Sequence, residues 1–445
     1  MLTLLQATPL PKDIPLPLPA PEWLLVTLLI ISFLVHIVFV NLMLGGSILT
    51  VWAQIKGKKD KDYDTLAHEI ARTITVNKSL AVVMGVAPLL TINTLYTVFF
   101  YTANSLTGLM WIAIIPLVTA AFLLTYLHKY TWHKLENFKN LHISIAIAAC
   151  LIFLFIPLIF LTNVNLMLFP EKWGTVKGFM SALTLPNVFP RYFHFIMASL
   201  SVSALFIFWY VGRKNYPFNE HFKTLSKYQI RKNMYTLVLG ASVAQFILGP
   251  IVLFTLPSKG MGWNLVLTIA TGAAFALPAM YWIYKSLTGA EENIHIHFKK
   301  VIIFLSLTVV FMASGRHIYR SNSLSQHQAL MEQKTQDFVK ASEEARLNPV
   351  EEELEIDESL GEVAVGAAIF KQNCAACHKE TEKLVGPPVT EMSSIYTGNE
   401  NGLKNWIKTP GKKRPDYPQM PPFGDRLSAE DLDELCKYIL SLKKK

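Results

Sequence analysis

Charge is scarce in this chain. Of its 445 residues only 16% are Asp, Glu, Lys or Arg, while 52% are hydrophobic, and mean hydropathy is +0.34. That balance excludes an ordinary soluble protein. Cysteine is scarce too, at four residues, which excludes a disulfide framework. No internal repeat and no nucleotide-binding motif is present. The scarcity of charge is also local. Apolar residues fall in eight runs, at 22–54, 79–103, 108–127, 142–164, 191–212, 234–256, 263–284 and 301–317, and no Asp or Glu lies inside any of them except Glu22 at the edge of the first. Each run is near or above the ~20 residues that cross a bilayer as helix. The expected fold is all-α: a polytopic bundle of about eight transmembrane helices plus a small all-α domain.

Positive residues gather in cytoplasmic loops. The loop after the first run holds Lys56, Lys58, Lys59, Lys61, Arg72 and Lys78. The loop after the fifth holds Arg213, Lys214, Lys223, Lys227, Arg231 and Lys232. Those after the third and seventh add Lys129, Lys134 and Lys139, then Lys285, Lys299 and Lys300. The opposite loops carry only Lys172, Lys177 and Lys259. Topology therefore accounts for the net charge of +9, and no nucleic-acid partner is expected. The expectation is a multi-pass protein of the cell's inner membrane with both ends on the periplasmic side. The Pro-rich lead, 1–21, has no basic n-region, so the first run reads as a span and not as a signal peptide.

Cys374-Ala375-Ala376-Cys377-His378 is the most specific motif. Two cysteines two residues apart and an adjoining histidine form the c-type haem attachment pattern, in which the thiols add across the haem vinyl groups and the imidazole meets the iron. One covalent haem c is expected. Zinc would need further Cys or His ligands, and the C-terminal region offers only Cys436, on the apolar face of a helix from 428 to 442 with Leu432, Leu435, Ile439 and Leu442. Ser428 reads as the N-cap of that helix. Between the last run and this domain, 325–348 reads as a polar helix and 351–362 as an acidic linker. The expected domains are 1–21, 22–320, 321–362 and 363–445.

Ionisable groups within spans are costly and usually functional. Here they are His36, Arg191, His194, Arg316 and His317. The topology puts all five in the outer half, on the side of the haem c motif. Histidines on separate helices suit b-type haem, and arginines can neutralise its propionates. One or two haems b are expected. His128, His133, His142, His295 and His297 fall at the cytoplasmic edges and read as interfacial.

Two resemblances extend this reading. Gly366, Phe370, the Cys-x-x-Cys-His motif, Gly386-Pro387-Pro388, Met420 and the last helix resemble the class I cytochrome c fold over roughly residues 363–445. By that resemblance His378 is the proximal ligand, Met420 the distal ligand, and Pro387 offers its carbonyl to the His378 ring. Residues 20–320 resemble subunit I of the cytochrome bd quinol oxidases. The resemblance rests on His36–Gly45 in the first span, Met84-Gly85-Val86-Ala87 in the second, Asn187–His194, and Ser314-Gly315-Arg316-His317, a reduced form of the family's Gly-Arg-Gln-Pro-Trp motif. It implies that His36 and His194 hold haem b. The departures are large: the family's carboxylates have no counterpart, its methionine ligand is missing around Thr268, its quinol loop shrinks to 257–262, and its ninth span is replaced by the haem c domain.

The reading favoured is a respiratory electron-transfer cytochrome. It would pass electrons between haem b, held by His36, His194 and His317 with Arg191 and Arg316 beside them, and haem c, held by Cys374, Cys377, His378 and Met420. Other membrane subunits and a soluble or membrane redox partner are expected, with quinol as a candidate. Three alternatives stay open: a bd-type terminal oxidase, a quinol:cytochrome c oxidoreductase, and a simple membrane anchor for cytochrome c.

Overall fold

Inside a bilayer no water meets the backbone, so an apolar run must close its hydrogen bonds within itself, and a helix does so. A computed structural model describes residues 18–347, 357–412, 414–415 and 417–442. Among these, the structure is all-helical with no strand. Eight helices are long and apolar enough to cross a membrane. In chain order the helices up to residue 347 are α1 (Glu22–Lys56), α2 (Lys61–Leu95), α3 (Thr97–Thr107), α4 (Leu109–Tyr130), α5 (Lys139–Leu166), α6 (Phe179–Leu183), α7 (Val188–Tyr210), α8 (Phe218–His221), α9 (Lys227–Phe254), α10 (Trp263–Thr288) and α11 (Phe298–Leu347). The eight candidate spans are α1, α2, α4, α5, α7, α9, α10 and α11, with the fourth also taking in the short turn that precedes α5.

The boundaries differ most from expectation at two places. The second helix starts at Lys61, not at 79, because Asp60 caps it by accepting the Asp62 N–H at 3.0 Å. Lys78 is therefore not a loop residue. It is fully buried within α2, with Nζ 3.3 Å from the centre of the Tyr126 ring and 3.4 Å from the Phe122 carbonyl. The helix then breaks at Tyr96 (φ −132°, ψ 38°) and α3 follows. At the far end, α11 does not stop with the apolar run near 317. It continues without a break into the polar segment. Expectations for residues 1–17 and for half of the acidic linker (351–356) lie outside the described residues.

Helix α1 packs against α2 and α7, α7 against α9, and α4 against α5. Small residues let membrane helices approach closely. A Cβ at Gly45 would stand 2.1 Å from the carbonyl oxygen of Ser199, so α1 and α7 touch backbone to backbone there. Ser199 Oγ donates to Asn41 Oδ1 at 2.8 Å and Ser203 Oγ to the Asn41 carbonyl at 3.0 Å, fixing the register.

The chain divides into two compact units between Val339 and Lys340. The second holds α12 (Ala364–Asn373), α13 (Val389–Tyr396), α14 (Glu400–Lys408) and α15 (Ala429–Ser441). Ser428 caps α15 in a reciprocal box with Asp431. The predicted apolar face is buried: Leu432, Leu435, Cys436 and Ile439, joined by Tyr438, while Leu442 is only partly covered. Helix α12 crosses α15 at Gly366, where a Cβ would lie 2.0 Å from the Glu434 carbonyl. Phe370 and Tyr438 meet nearby, with ring centres 5.5 Å apart.

Candidate haem-binding sites

The Cys-x-x-Cys-His segment leaves the C-terminus of α12 as a tight turn. The Cys377 and His378 N–H groups both donate to the Cys374 carbonyl at 3.0 Å. The chain then loops back, and the Gly386 N–H donates to the Cys377 carbonyl at 2.8 Å. This brings Pro387 to the histidine: His378 Nδ1–H donates to the Pro387 carbonyl at 2.8 Å. That bond fixes the tautomer and leaves the Nε2 lone pair for a metal. Gly386 lies against the ring, and a Cβ there would come within 2.2 Å of Cε1. His378 is buried, and Met420 packs on the same apolar cluster as Cys374. Burial, then the neighbouring Cys377, pushes the Cys374 thiol up to about 11. Two thiols, an oriented imidazole and a thioether fit a covalent haem.

In the bundle, His36 repeats this arrangement on a different scaffold. Its Nδ1–H donates to the Ala81 carbonyl of α2 at 2.9 Å. Its ring lies against Gly85, where a Cβ would stand 2.9 Å from Cε1. Here too Nε2 keeps its lone pair. His194 lies at the same depth. His36 is five residues from Asn41 and His194 five residues from its partner Ser199, on helices that run the same way, so each stands ~7.5 Å along the axis from that bond.

Arginines gather at this level. The Arg316 guanidinium lies 4.8 Å from the centre of the Phe33 ring, one turn from His36, and within electrostatic reach of Arg191 and Arg320. His194 in turn feels Arg191. Arg320 was not singled out in the sequence. It is 6% exposed and stands over the Tyr96 ring at 5.2 Å. Among the described residues none of the three forms a salt bridge, and Arg316 Nε and His317 Nδ1 have no hydrogen-bond partner. Arg320 is buried and Arg191 and Arg316 half-buried, and cations so shielded from water are costly without a carboxylate. An anion-bearing ligand with a metal centre, as haem b is, fits these donors and these unpartnered atoms.

Two of the five inner histidines depart from the interfacial reading, while His133 and His295 are exposed. His128 and His142 are buried, stacked with centres 4.1 Å apart, and both bound to Gln54. His142 Nε2–H also donates to the His128 carbonyl. These rings are committed to a clasp between α1, α4 and α5. Another buried histidine that sequence reasoning passed over is His327, beyond the apolar run on α11. It sits between Phe99 and Trp173 with Nε2 unpartnered.

Comparison with known proteins places relatives beside the second unit. The cytochrome c family model matches residues 363–443. Cytochrome c6 of Porphyra purpurea is 34% identical over 83 residues, which is 18% of this chain and 71% of that protein. Cytochrome c-551 of Pseudomonas denitrificans is 33% identical over 84 residues, 18% of this chain and 100% of that protein. The Cbb3-type cytochrome c oxidase subunit FixP of Sinorhizobium medicae (strain WSM419) is 33% identical over 115 residues, 22% of this chain and 37% of that protein.

Proposed function

The C-terminal domain of this chain belongs to the cytochrome c family, and from that premise we propose that the whole chain is a membrane-bound electron-transfer subunit of a respiratory complex. It passes single electrons between a b-type haem site in the helix bundle and the covalent haem c of its C-terminal domain. Bound haem supplies the one-electron chemistry at iron. The protein supplies the rest. Cys374 and Cys377 would tether haem c, and His378, held by Pro387, and Met420 would hold its iron. His36, His194 and His317 are the candidates that would hold a haem iron in the bundle, where Arg191, Arg316 and Arg320 would neutralise the haem carboxylates. In this reading the basic loops face the cytoplasm, as the distribution of Lys and Arg favours, and both haem sites then lie on the periplasmic side.

One observation carries the haem b part. His36 has its Nδ1–H committed to a backbone carbonyl and its Nε2 left open, as His378 has. Gly85, which lies under that ring, belongs to the segment that resembles the bd oxidases. Likeness to FixP supports a partner complex of the terminal-oxidase type. Oxygen reduction by this chain alone is not favoured, because proton uptake to a buried site needs groups able to carry it and the only carboxylate in the outer half of the apolar runs is Glu22, at the very edge of the first.

The test is a pyridine haemochrome spectrum of the purified chain, with carbon monoxide difference spectra on the same sample. Haem b together with haem c and no carbon monoxide shift is the expected result. Haem c alone would reduce the chain to an anchored cytochrome c. A clear carbon monoxide shift would turn the reading to a bd-type oxidase.

A further inference from the structure

The basic end of the bundle has a cleft of about 570 Å³ between α2 and the segment that follows α7. Its cations are Arg72, Arg213 and Lys214, and its one carboxylate is Glu69. With His221 neutral, three cations against one carboxylate leave two positive charges in excess. Glu69 is buried and serves as a brace. Its Oε1 accepts from Arg72 Nη1 at 3.2 Å and its Oε2 from the Tyr210 hydroxyl at 3.1 Å. Arg213 stacks over Tyr210 at 4.0 Å and donates Nε–H to the Tyr210 carbonyl at 3.2 Å. Each guanidinium is thus held by one edge and has further N–H groups for a ligand. Arg213 and Lys214 are exposed.

The back of the cleft is shut. The seam between α2 and α7 behind Glu69 and Tyr210 is filled by the buried Leu66, Ile70, Ile207 and Val211. It leaves about 10 Å³, room for one water and none for an acyl chain. The occupant therefore lies wholly in the cleft and comes from the aqueous side. Size narrows it further, because the cleft falls in the range of small-molecule sites, roughly 300–1,000 Å³. Inorganic phosphate would reach the cations and leave the wall of Tyr210, Pro217 and His221 uncovered. Forked guanidiniums match phosphate oxygens in pairs, and the excess of two charges answers a phosphate dianion.

We propose that this cleft binds a soluble organic phosphate. Its phosphate lies among Arg72, Arg213 and Lys214, and its organic part lies along Tyr210, Pro217 and His221. The site is independent of the haem sites.

The experiment titrates the full chain, in a non-ionic detergent, by calorimetry. The probes are ADP and glucose 6-phosphate as organic phosphates, inorganic phosphate, and succinate as a dianion without phosphorus. At least one organic phosphate should bind, with inorganic phosphate and succinate weaker by about tenfold or more. The double variant Arg213→Gln, Lys214→Gln, on exposed positions, should weaken the organic phosphate by about tenfold or more, as expected for lost hydrogen bonds to charged groups. His221→Ala, which trims the other wall, should weaken the organic phosphate and leave inorganic phosphate as in the wild type. Binding of neither organic phosphate, or wild-type binding by the double variant, would overturn the proposal. Inorganic phosphate or succinate binding as tightly as the organic phosphates would overturn it in favour of a site for simple anions.

Discussion

His36 donates its Nδ1–H to the carbonyl of Ala81 across the α1–α2 interface at 2.9 Å. His378 makes the same bond to Pro387 at 2.8 Å in the other unit. Two unrelated scaffolds thus orient an imidazole alike, each with a glycine against the ring. Such second partners raise ligand basicity and hold the ring for the metal.

Replacing His36 by Ala is expected to abolish b-type absorbance and leave the haem c bands unchanged. Added imidazole should restore part of the b-type signal, because the backbone partner at Ala81 remains. An unaltered b-type spectrum would remove His36 from the ligand set.

Gly85→Val tests the same ring without touching a ligand. The added side chain must displace His36, since even a Cβ would lie 2.9 Å from Cε1. Haem b retention should fall about 10–100-fold, the usual range for disturbing a metal's outer partners. Haem content per chain, read with haem c as internal standard, checks it.

Arg320→Gln should lower the midpoint potential of the b-type centre, because a nearby positive charge favours the reduced form. The expected effect is on the order of 1–2 kcal/mol. Redox titration reads it, and the haem c potential should not move.

Gly366→Val should destabilise the cytochrome c domain by about 1–3 kcal/mol through overpacking at the α12–α15 crossing. Thermal unfolding followed at the haem c band would show it.

Burial pushes the Cys436 thiol up to about 11. The neutral thiol should therefore persist well above pH 8 and resist alkylation in the folded domain. Mass spectrometry after iodoacetamide at pH 8.5 should find Cys436 unmodified until denaturant is added.

Long apolar runs made the eight crossings legible, and the Leu432, Leu435, Cys436 and Ile439 spacing foretold the buried face of α15. Boundaries were harder to read. Hydropathy marks where lipid lies, whereas a helix continues for as long as its backbone bonds close. So α2 reaches back to Lys61 through charged residues, and α11 extends far past His317. Lys78 was misplaced for the same reason: its charge suggests a loop, and the Tyr126 ring that receives it comes from a distant helix. Arg320 lay just outside the apolar run, so only its place over the Tyr96 ring, and its nearness to Arg316 on the same helix, singled it out.

The Gly45–Ser199 crossing has a kinetic side. With no space there for even a methyl group, α1 and α7 are held in register, and His36 and His194 with them. If the proposed b-type centre is held there, a frame with so little slack would change little between oxidation states. Such a frame would keep the nuclear reorganisation of each transfer small and let electrons exchange quickly at low driving force.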